Sequence, residues 1–213
     1  MIVDERMRDF INSFDRGNTE FLEALEQEAL RTNVPIIRKE MQTLLKTLLE
    51  MKQPARILEV GCAIGFSSIL MATYTPSDTE ITTIENYEVR IPIAKANIEA
   101  AGYKDRITLI EGDAADVLKT LEGTYDFIFM DAAKGQYINF LPEVMRLLAK
   151  GGYLISDNVL QEGDLLESRF AVTRRNITIH SRMREYLQVL TNDDRLVTSI
   201  LPVGDGVALC VKK

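Results

Sequence analysis

Acids recur in this 213-residue chain at or just after short apolar runs: Glu59 within Ile57–Val60, Glu85 after Glu80–Ile84, Asp113 after Ile107–Ile110, Asp131 after Phe127–Met130, and Asp157 with Asn158 after Tyr153–Ser156. Asp131, Asp157 and Asn158 together offer two carboxylates and an amide oxygen. That is a hard, oxygen-only donor set suited to Mg²⁺ or Mn²⁺, with coordination positions left for water or a substrate. Lys134, three residues after Asp131, adds an amine that could serve as a base or steady a developing negative charge. Glu85 follows Glu59 by 26 residues, close to the spacing at which an acid at the end of a second strand grips a ribose diol. Any one of these residues could instead cap a helix or close a turn, Asp113 and Asp131 above all. Five acidic strand ends on one edge are harder to explain by capping alone.

For these side chains to meet, the runs that carry them must be parallel strands of one sheet, because ligands bind beyond the carboxyl ends of such strands. The pattern supports that. From residue 56 the strand candidates alternate with helical segments at Ser67–Tyr74, Val89–Ala101, Ala114–Leu121 and Ile138–Ala149. Gly61 and Gly65 separate the first strand from its helix, forming a turn where backbone can approach a ligand closely. The expected fold is α/β: a Rossmann-like, doubly wound, mostly parallel sheet of seven strands. Its last two strands, Leu196–Leu201 and Val207–Val211, form an antiparallel hairpin around Pro202–Gly206. Ahead of the sheet, Phe10, Phe14, Phe21, Leu22, Leu25 and Leu30 recur at helical spacing, and a second run covers Ile36–Met51. The whole chain, 1–213, is expected to be one domain, with a helical cap over 1–51 and the Rossmann-like core over 56–213. The cap is expected to cover a ligand site or form a dimer contact, with its individual apolar residues packing into the core.

Composition narrows the function. With 46% hydrophobic and 27% charged residues the chain reads as an ordinary soluble globular protein. A net charge of −7 argues against broad nucleic-acid binding, yet Arg169, Arg174, Arg175, Arg182 and Arg184 fall in a run, 169–184, that contains no acid. Such a cluster suits phosphate contact, in RNA for example, or the rim of a dimer. His180, alone in that run, reads as structural. One histidine and two cysteines cannot build a His/Cys zinc site, and Cys62 and Cys210 read as buried reduced thiols. No membrane span or signal peptide is visible, so the expected location is cytoplasmic.

Among nucleotide-binding enzymes, a nicotinamide-dependent oxidoreductase would use the same ribose-binding acid. Its Gly-x-Gly-x-x-Gly fingerprint is replaced here by Glu59-x-Gly61-x-x-x-Gly65, which resembles the first motif of class I S-adenosylmethionine-dependent methyltransferases. A non-catalytic RNA-binding module would not need Lys134 or the three oxygen ligands.

The remaining motifs extend the resemblance. Glu59-Val-Gly-Cys-Ala-Ile-Gly-Phe-Ser67, Glu85, Gly112-Asp113-Ala114, Asp131-Ala-x-Lys134-x-x-Tyr137, Asp157-Asn158-Val159-Leu160 and Leu201-Pro-Val-Gly-Asp-Gly206 together resemble the divalent-metal-dependent O-methyltransferases of the catechol and caffeoyl-CoA type. The overall form is most similar to a bacterial subgroup that methylates 5-hydroxyuridine in transfer RNA. The resemblance implies that Asp131, Asp157 and Asn158 hold Mg²⁺ or Mn²⁺ and that Lys134 is the catalytic base, with Asp131 beside it. It implies S-adenosylmethionine as cofactor, with Glu85 on the ribose hydroxyls, Asp113 and Ala114 around the adenine, and Gly61 with Ser67 on the methionine portion. Glu59, Ser68 and Asp131 complete that set. It further implies a homodimer acting on transfer RNA or on a small phenolic substrate. Ala133 stands where plant members often carry a second acid, and the short N-terminal segment offers no visible site for a CoA tail. Both departures speak against a thioester substrate.

Overall fold

The computed structural model describes residues 3–168, 172–173 and 176–213, the Glu162 side chain excepted. Helices α1 (Glu5–Asn12), α2 (Glu20–Arg31) and α3 (Lys39–Lys52) precede a repeating strand–helix series. That series runs β1 (Arg56–Val60), α4 (Phe66–Thr73), β2 (Glu80–Glu85), α5 (Ile91–Ala100), β3 (Ile107–Glu111), α6 (Ala114–Thr120), β4 (Tyr125–Met130), α7 (Tyr137–Leu147) and β5 (Leu148–Ser156). Helix α8 (Ile177–Asn192) leads into β6 (Leu196–Leu201) and β7 (Val207–Lys212). The sheet order is β3-β2-β1-β4-β5-β7-β6, parallel through β5 and antiparallel at β7. This is the expected Rossmann-like methyltransferase sheet. The hairpin joins the edge with its second strand innermost, so β7 lies directly against β5.

Side chains of the central strands alternate between two apolar layers, as the two-residue pleat requires. Leu58, Val60, Ile128 and Met130 pack toward α7 and α8, whereas Ile57, Phe127 and Phe129 pack toward α2, α3 and α4. Because both faces are covered, the central strands read in sequence as nearly continuous apolar runs. Leu22 and Leu25 of the N-terminal helices enter the second layer, as their spacing predicts. Phe10, Phe14 and Leu30 do not: they are 65%, 71% and 62% exposed, and the two phenylalanine rings meet edge to face on the surface. Helical periodicity marks an apolar face but does not say whether anything covers it.

The sheet reverses direction of growth between β1 and β4, and the chain is pulled tight there. Asp131 N–H donates to the Val60 carbonyl at 3.0 Å, while Gly61 N–H donates to Ile84 at 2.9 Å. Gly61 adopts φ 92°, and a Cβ on it would overlap the Asp131 carbonyl oxygen. Both facts require glycine. Gly61→Ala is therefore expected to cost about 1–3 kcal/mol of stability through strain and overpacking, read from urea unfolding midpoints.

Candidate functional site

Two clefts open at the carboxyl ends of the strands. The first, of about 380 Å³, is bordered by Gly61, Ser67, Glu85, Asp113, Ala114 and Asp131. The second, of about 300 Å³, is bordered by Asp131, Lys134, Asp157, Asn158 and Asp205. They share Asp131 and the loop residues Pro35, Ile36 and Ile37. The sheet thus gathers residues from five strand ends, β1 to β5, that lie far apart in the chain. Among the described sequence-derived candidates, Glu59, Ser68, Arg182 and Arg184 lie outside these two linings.

In the first cleft Glu85, buried at the end of β2, accepts from three backbone amides: Ala63 at 2.8 Å, Asn86 at 3.0 Å and Tyr87 at 2.9 Å. Its carboxylate thereby ties the β1–α4 turn to the β2–α5 turn and faces the cavity between them. Asp113 does cap, its Oδ1 accepting from Ala115 N–H at 2.8 Å, and it lines the cleft as well. Glu59 and Ser68 lie beneath the floor rather than on it, both 0% exposed. Glu59 Oε2 accepts from the Ser68 hydroxyl and, at 2.5 Å, from Thr83 Oγ1. Burial pushes its carboxyl up to about 7, against the pull of the neighbouring hydroxyls. Thr83 was not among the sequence candidates. A hydroxyl in the middle of the apolar strand β2 was the available signal.

In the second cleft Asp131 and Asp157 cap nothing that follows: the turn after Asp131 has no side-chain cap, and Asp157 Oδ1 accepts from the next residue's N–H at 2.7 Å. Asn158, at φ 62°, turns its amide onto Asp131 Oδ1 at 2.9 Å. An asparagine tolerates that left-handed conformation better than most residues. Burial raises the pKa of both aspartates, with Asp131's charge raising Asp157's further, while the Lys134 charge and the Asn158 bond partly offset the effect on Asp131. Lys134 Nζ donates to Asp205 Oδ2 at 3.2 Å, and Asp205 is 3% exposed in the β6–β7 turn. Asp205 was missed as a site residue although its turn was singled out, because a turn aspartate ordinarily serves the turn itself.

Three acids therefore crowd one cleft against the ammonium of Lys134, with the exposed Arg38 also on its lining. No group of three or more His, Cys, Asp or Glu side chains arranged for a metal occurs among the described residues. The donor set here is two carboxylates and one amide, which that pattern does not include. Its oxygens and surplus negative charge fit a hard divalent cation. Tyr137, fully buried, ties the two aspartate-bearing strand ends together. Its hydroxyl lies 3.2 Å from the Met130 carbonyl and 3.1 Å from the Asp157 carbonyl.

Of the arginines, Arg169, Arg174 and Arg175 lie outside the described residues. Arg182 donates to the Gly135 carbonyl at 3.1 Å, next to Lys134. Arg184 holds the carbonyls of Leu165 at 2.6 Å and Glu167 at 3.2 Å, so it braces the segment ahead of α8. His180 is buried, with Nε2 3.1 Å from the Glu167 carbonyl, in keeping with a structural role.

The seven-stranded order β3-β2-β1-β4-β5-β7-β6, with β7 antiparallel beside β5, is the class I methyltransferase fold. The family model for O-methyltransferase matches residues 12–213. The chain belongs to that O-methyltransferase family, whose members are S-adenosylmethionine-dependent enzymes. It is 35% identical to caffeoyl-CoA O-methyltransferase 5 of Nicotiana tabacum, over 78% of this chain and 72% of the relative. A Staphylococcus aureus structure provisionally assigned as a caffeoyl-CoA O-methyltransferase superposes with a TM-score of 0.90 at 31% identity, covering 99% of this chain and 100% of the other. An SAH-bound methyltransferase of Podospora anserina superposes with a TM-score of 0.87 at 27% identity, covering 99% and 97%. No helix among the described residues is long and apolar enough to cross a membrane.

The raised carboxyls make stability depend on pH in a definite direction. Glu59, Asp131 and Asp157 all bind protons more tightly folded than unfolded, so folding takes up protons. Their contribution is fully present below the unfolded carboxyl range, about pH 4. It is lost as pH rises through the folded values, toward about 7 for Glu59. Without a divalent cation, the urea midpoint is expected to fall between pH 4 and about 7.5 by this contribution. Glu59→Gln should flatten part of the slope.

Proposed function

We propose that the two clefts are the donor and acceptor sites of one methyl transfer, S-adenosylmethionine in the first and a hydroxylated acceptor in the second. The observation that carries this reading is the shared border: Asp131 and the Pro35–Ile37 loop line both cavities, so ligands in the two would lie side by side. Alignment of that kind supplies much of the acceleration of a bimolecular transfer. In the donor cleft, Glu85 is assigned to the ribose hydroxyls, Asp113 and Ala114 to the adenine border, and Gly61 with Ser67 to the methionine portion. Glu59 and Ser68 support that floor from below. The SAH-bound relative from Podospora anserina supports this choice of cofactor.

In the acceptor cleft Asp131, Asp157 and Asn158 are the residues that would hold Mg²⁺ or Mn²⁺. When bound, S-adenosylmethionine supplies the electrophilic methyl group and the cation supplies Lewis acidity toward the acceptor hydroxyl. Lys134 takes the hydroxyl proton from its neutral amine form, after its own ammonium proton has passed to solvent, and Asp205, bonded to Nζ, orients the amine. Lys134→Met is expected to lower kcat by roughly 10²–10⁴-fold while leaving SAH affinity unchanged by calorimetry. EDTA should abolish turnover and Mg²⁺ or Mn²⁺ restore it. Full turnover in excess chelator would sink the cation assignment.

For the acceptor we propose 5-hydroxyuridine in transfer RNA, whose 5-hydroxyl and adjacent 4-carbonyl offer two neighbouring oxygens. The acid-free run of Arg169, Arg174, Arg175, Arg182 and Arg184 supports it as a source of positive charge for phosphates. Of these, Arg182 is the best supported: exposed, and bonded to the turn that carries Lys134. A second reading, a small catechol-like phenol, is favoured by the relatives named caffeoyl-CoA O-methyltransferases. Reversing Arg174 and Arg175 to glutamate should weaken transfer RNA binding and reduce its log–log salt slope by about 0.9 for each phosphate no longer neutralised. Catechol methylation should persist. Methylation of a catechol but not of hypomodified transfer RNA by the parent enzyme would replace the first reading with the second.

A further inference from the structure

Apart from Asp131, the wall shared by the two clefts belongs neither to the sheet nor to its crossover helices. It is the loop between α2 and α3, of which Pro35, Ile36 and Ile37 face both cavities and Arg38 faces the acceptor side. Its entry is fixed by backbone: Asn33 turns left-handed at φ 55°, and Val34 N–H donates back to the Ala29 carbonyl at 2.9 Å. Its exit is fixed by a side chain. Gln42, in the first turns of α3 and only 1% exposed, donates from Nε2 to the Ile37 carbonyl at 3.0 Å and to Glu26 Oε1 at 3.1 Å. Its Oε1 accepts from Asn18 Nδ2 at 2.8 Å. Glu26 of α2, 7% exposed, is in turn paired with Lys39 Nζ at 2.5 Å.

A helix–helix contact such as α2 against α3 is ordinarily filled by apolar side chains, and burying an amide and a carboxylate there is costly unless every polar group is met. Here the amide's bonds run to three separate segments: the loop at Ile37, helix α2 at Glu26, and the stretch before α2 at Asn18. Gln42, Glu26 and Asn18 themselves line neither cleft. We propose that Gln42 is a positioning residue for both clefts, holding the Ile37 carbonyl so that the 35–38 wall keeps the donor and acceptor cavities in register. This inference rests on the donor and acceptor reading above, and it assigns a role to a residue outside both linings.

Two measurements on the full chain test it. In Gln42→Leu, the SAH dissociation constant by calorimetry should rise roughly fivefold, as loss of the loop-holding hydrogen bond predicts. Amide exchange at 36–38 should quicken while exchange in β1 and β4 stays as in the parent. Glu26→Gln keeps an oxygen for Gln42 Nε2 and should leave SAH affinity within about twofold of the parent. A folded Gln42→Leu protein with parental SAH affinity overturns the proposal and leaves Gln42 a packing residue. If Gln42→Leu does not fold, Gln42→Asn is read the same way, since its amide is one methylene too short to span both partners. A parent protein that fails to bind SAH would strike the donor-cleft reading instead. Exchange at 36–38 then decides Gln42 by itself, and no quickening there overturns its role.

Discussion

The close approach of Gly61 to the Asp131 backbone is the constraint on which the site depends. Two parallel strands, β1 and β4, end side by side where the sheet changes direction, and their connections leave on opposite faces. A crevice forms at such a point because nothing crosses above it. With no side chain at position 61, the Asp131 carbonyl can sit against the turn, and the Asp131 side chain is delivered to the border of two cavities at once. Any bulk at residue 61 would push the strand ends apart and separate the cavities it now joins.

Around that point the protein accumulates negative charge and contains it by different means. Glu59 is surrounded by hydroxyls from Ser68 and Thr83, which bond a carboxyl in either protonation state. Glu85 is satisfied by three backbone amides, so its charge helps to fold two turns together. Asp131 and Asp157 have fewer compensating donors, and the ammonium of Lys134 is engaged by Asp205. Mutual repulsion of buried like charges is what a cation held there would relieve.

The C-terminal hairpin does more than complete the sheet. Because β7 lies against β5, the turn between β6 and β7 is carried onto the lining of the second cleft. It is locked there by Val159 N–H to the Gly206 carbonyl at 2.9 Å and Leu160 N–H to the Asp205 carbonyl at 3.0 Å. Gly206 is wedged against Leu160, where any Cβ would collide. The clustered acids of β4 and β5 and the lysine partner on the hairpin are thus fixed by the same few backbone bonds.

Much of this was legible in the sequence. Apolar runs ending in acids mark strands whose carboxyl ends must converge, since parallel strands joined by helices all point the same way; Asp131, Asp157, Asn158, Lys134 and Glu85 follow from that. Local pattern also gives the helices and the closing hairpin. What it does not contain is which surfaces meet. The same helical spacing that buries Leu22 leaves Phe10 and Phe14 in solvent, because periodicity describes one element and burial needs two. Glu59 and Ser68 belong to the right motif but sit below the cleft floor, since the pleat of β1 turns Glu59, and the winding of α4 turns Ser68, into the interior. Asp205 and Gln42 carry no signal of their own: one is a turn aspartate, the other a glutamine in an amphipathic helix. Lys134 reaches Asp205 only after the hairpin has docked on β5, and Glu26 and Asn18 reach Gln42 only after α2 and α3 have come together. The sequence by itself determined the chemistry available and the edge where it collects. The tertiary structure decided which groups share a cavity, because distance between residues remote in the chain is set by packing and not by spacing.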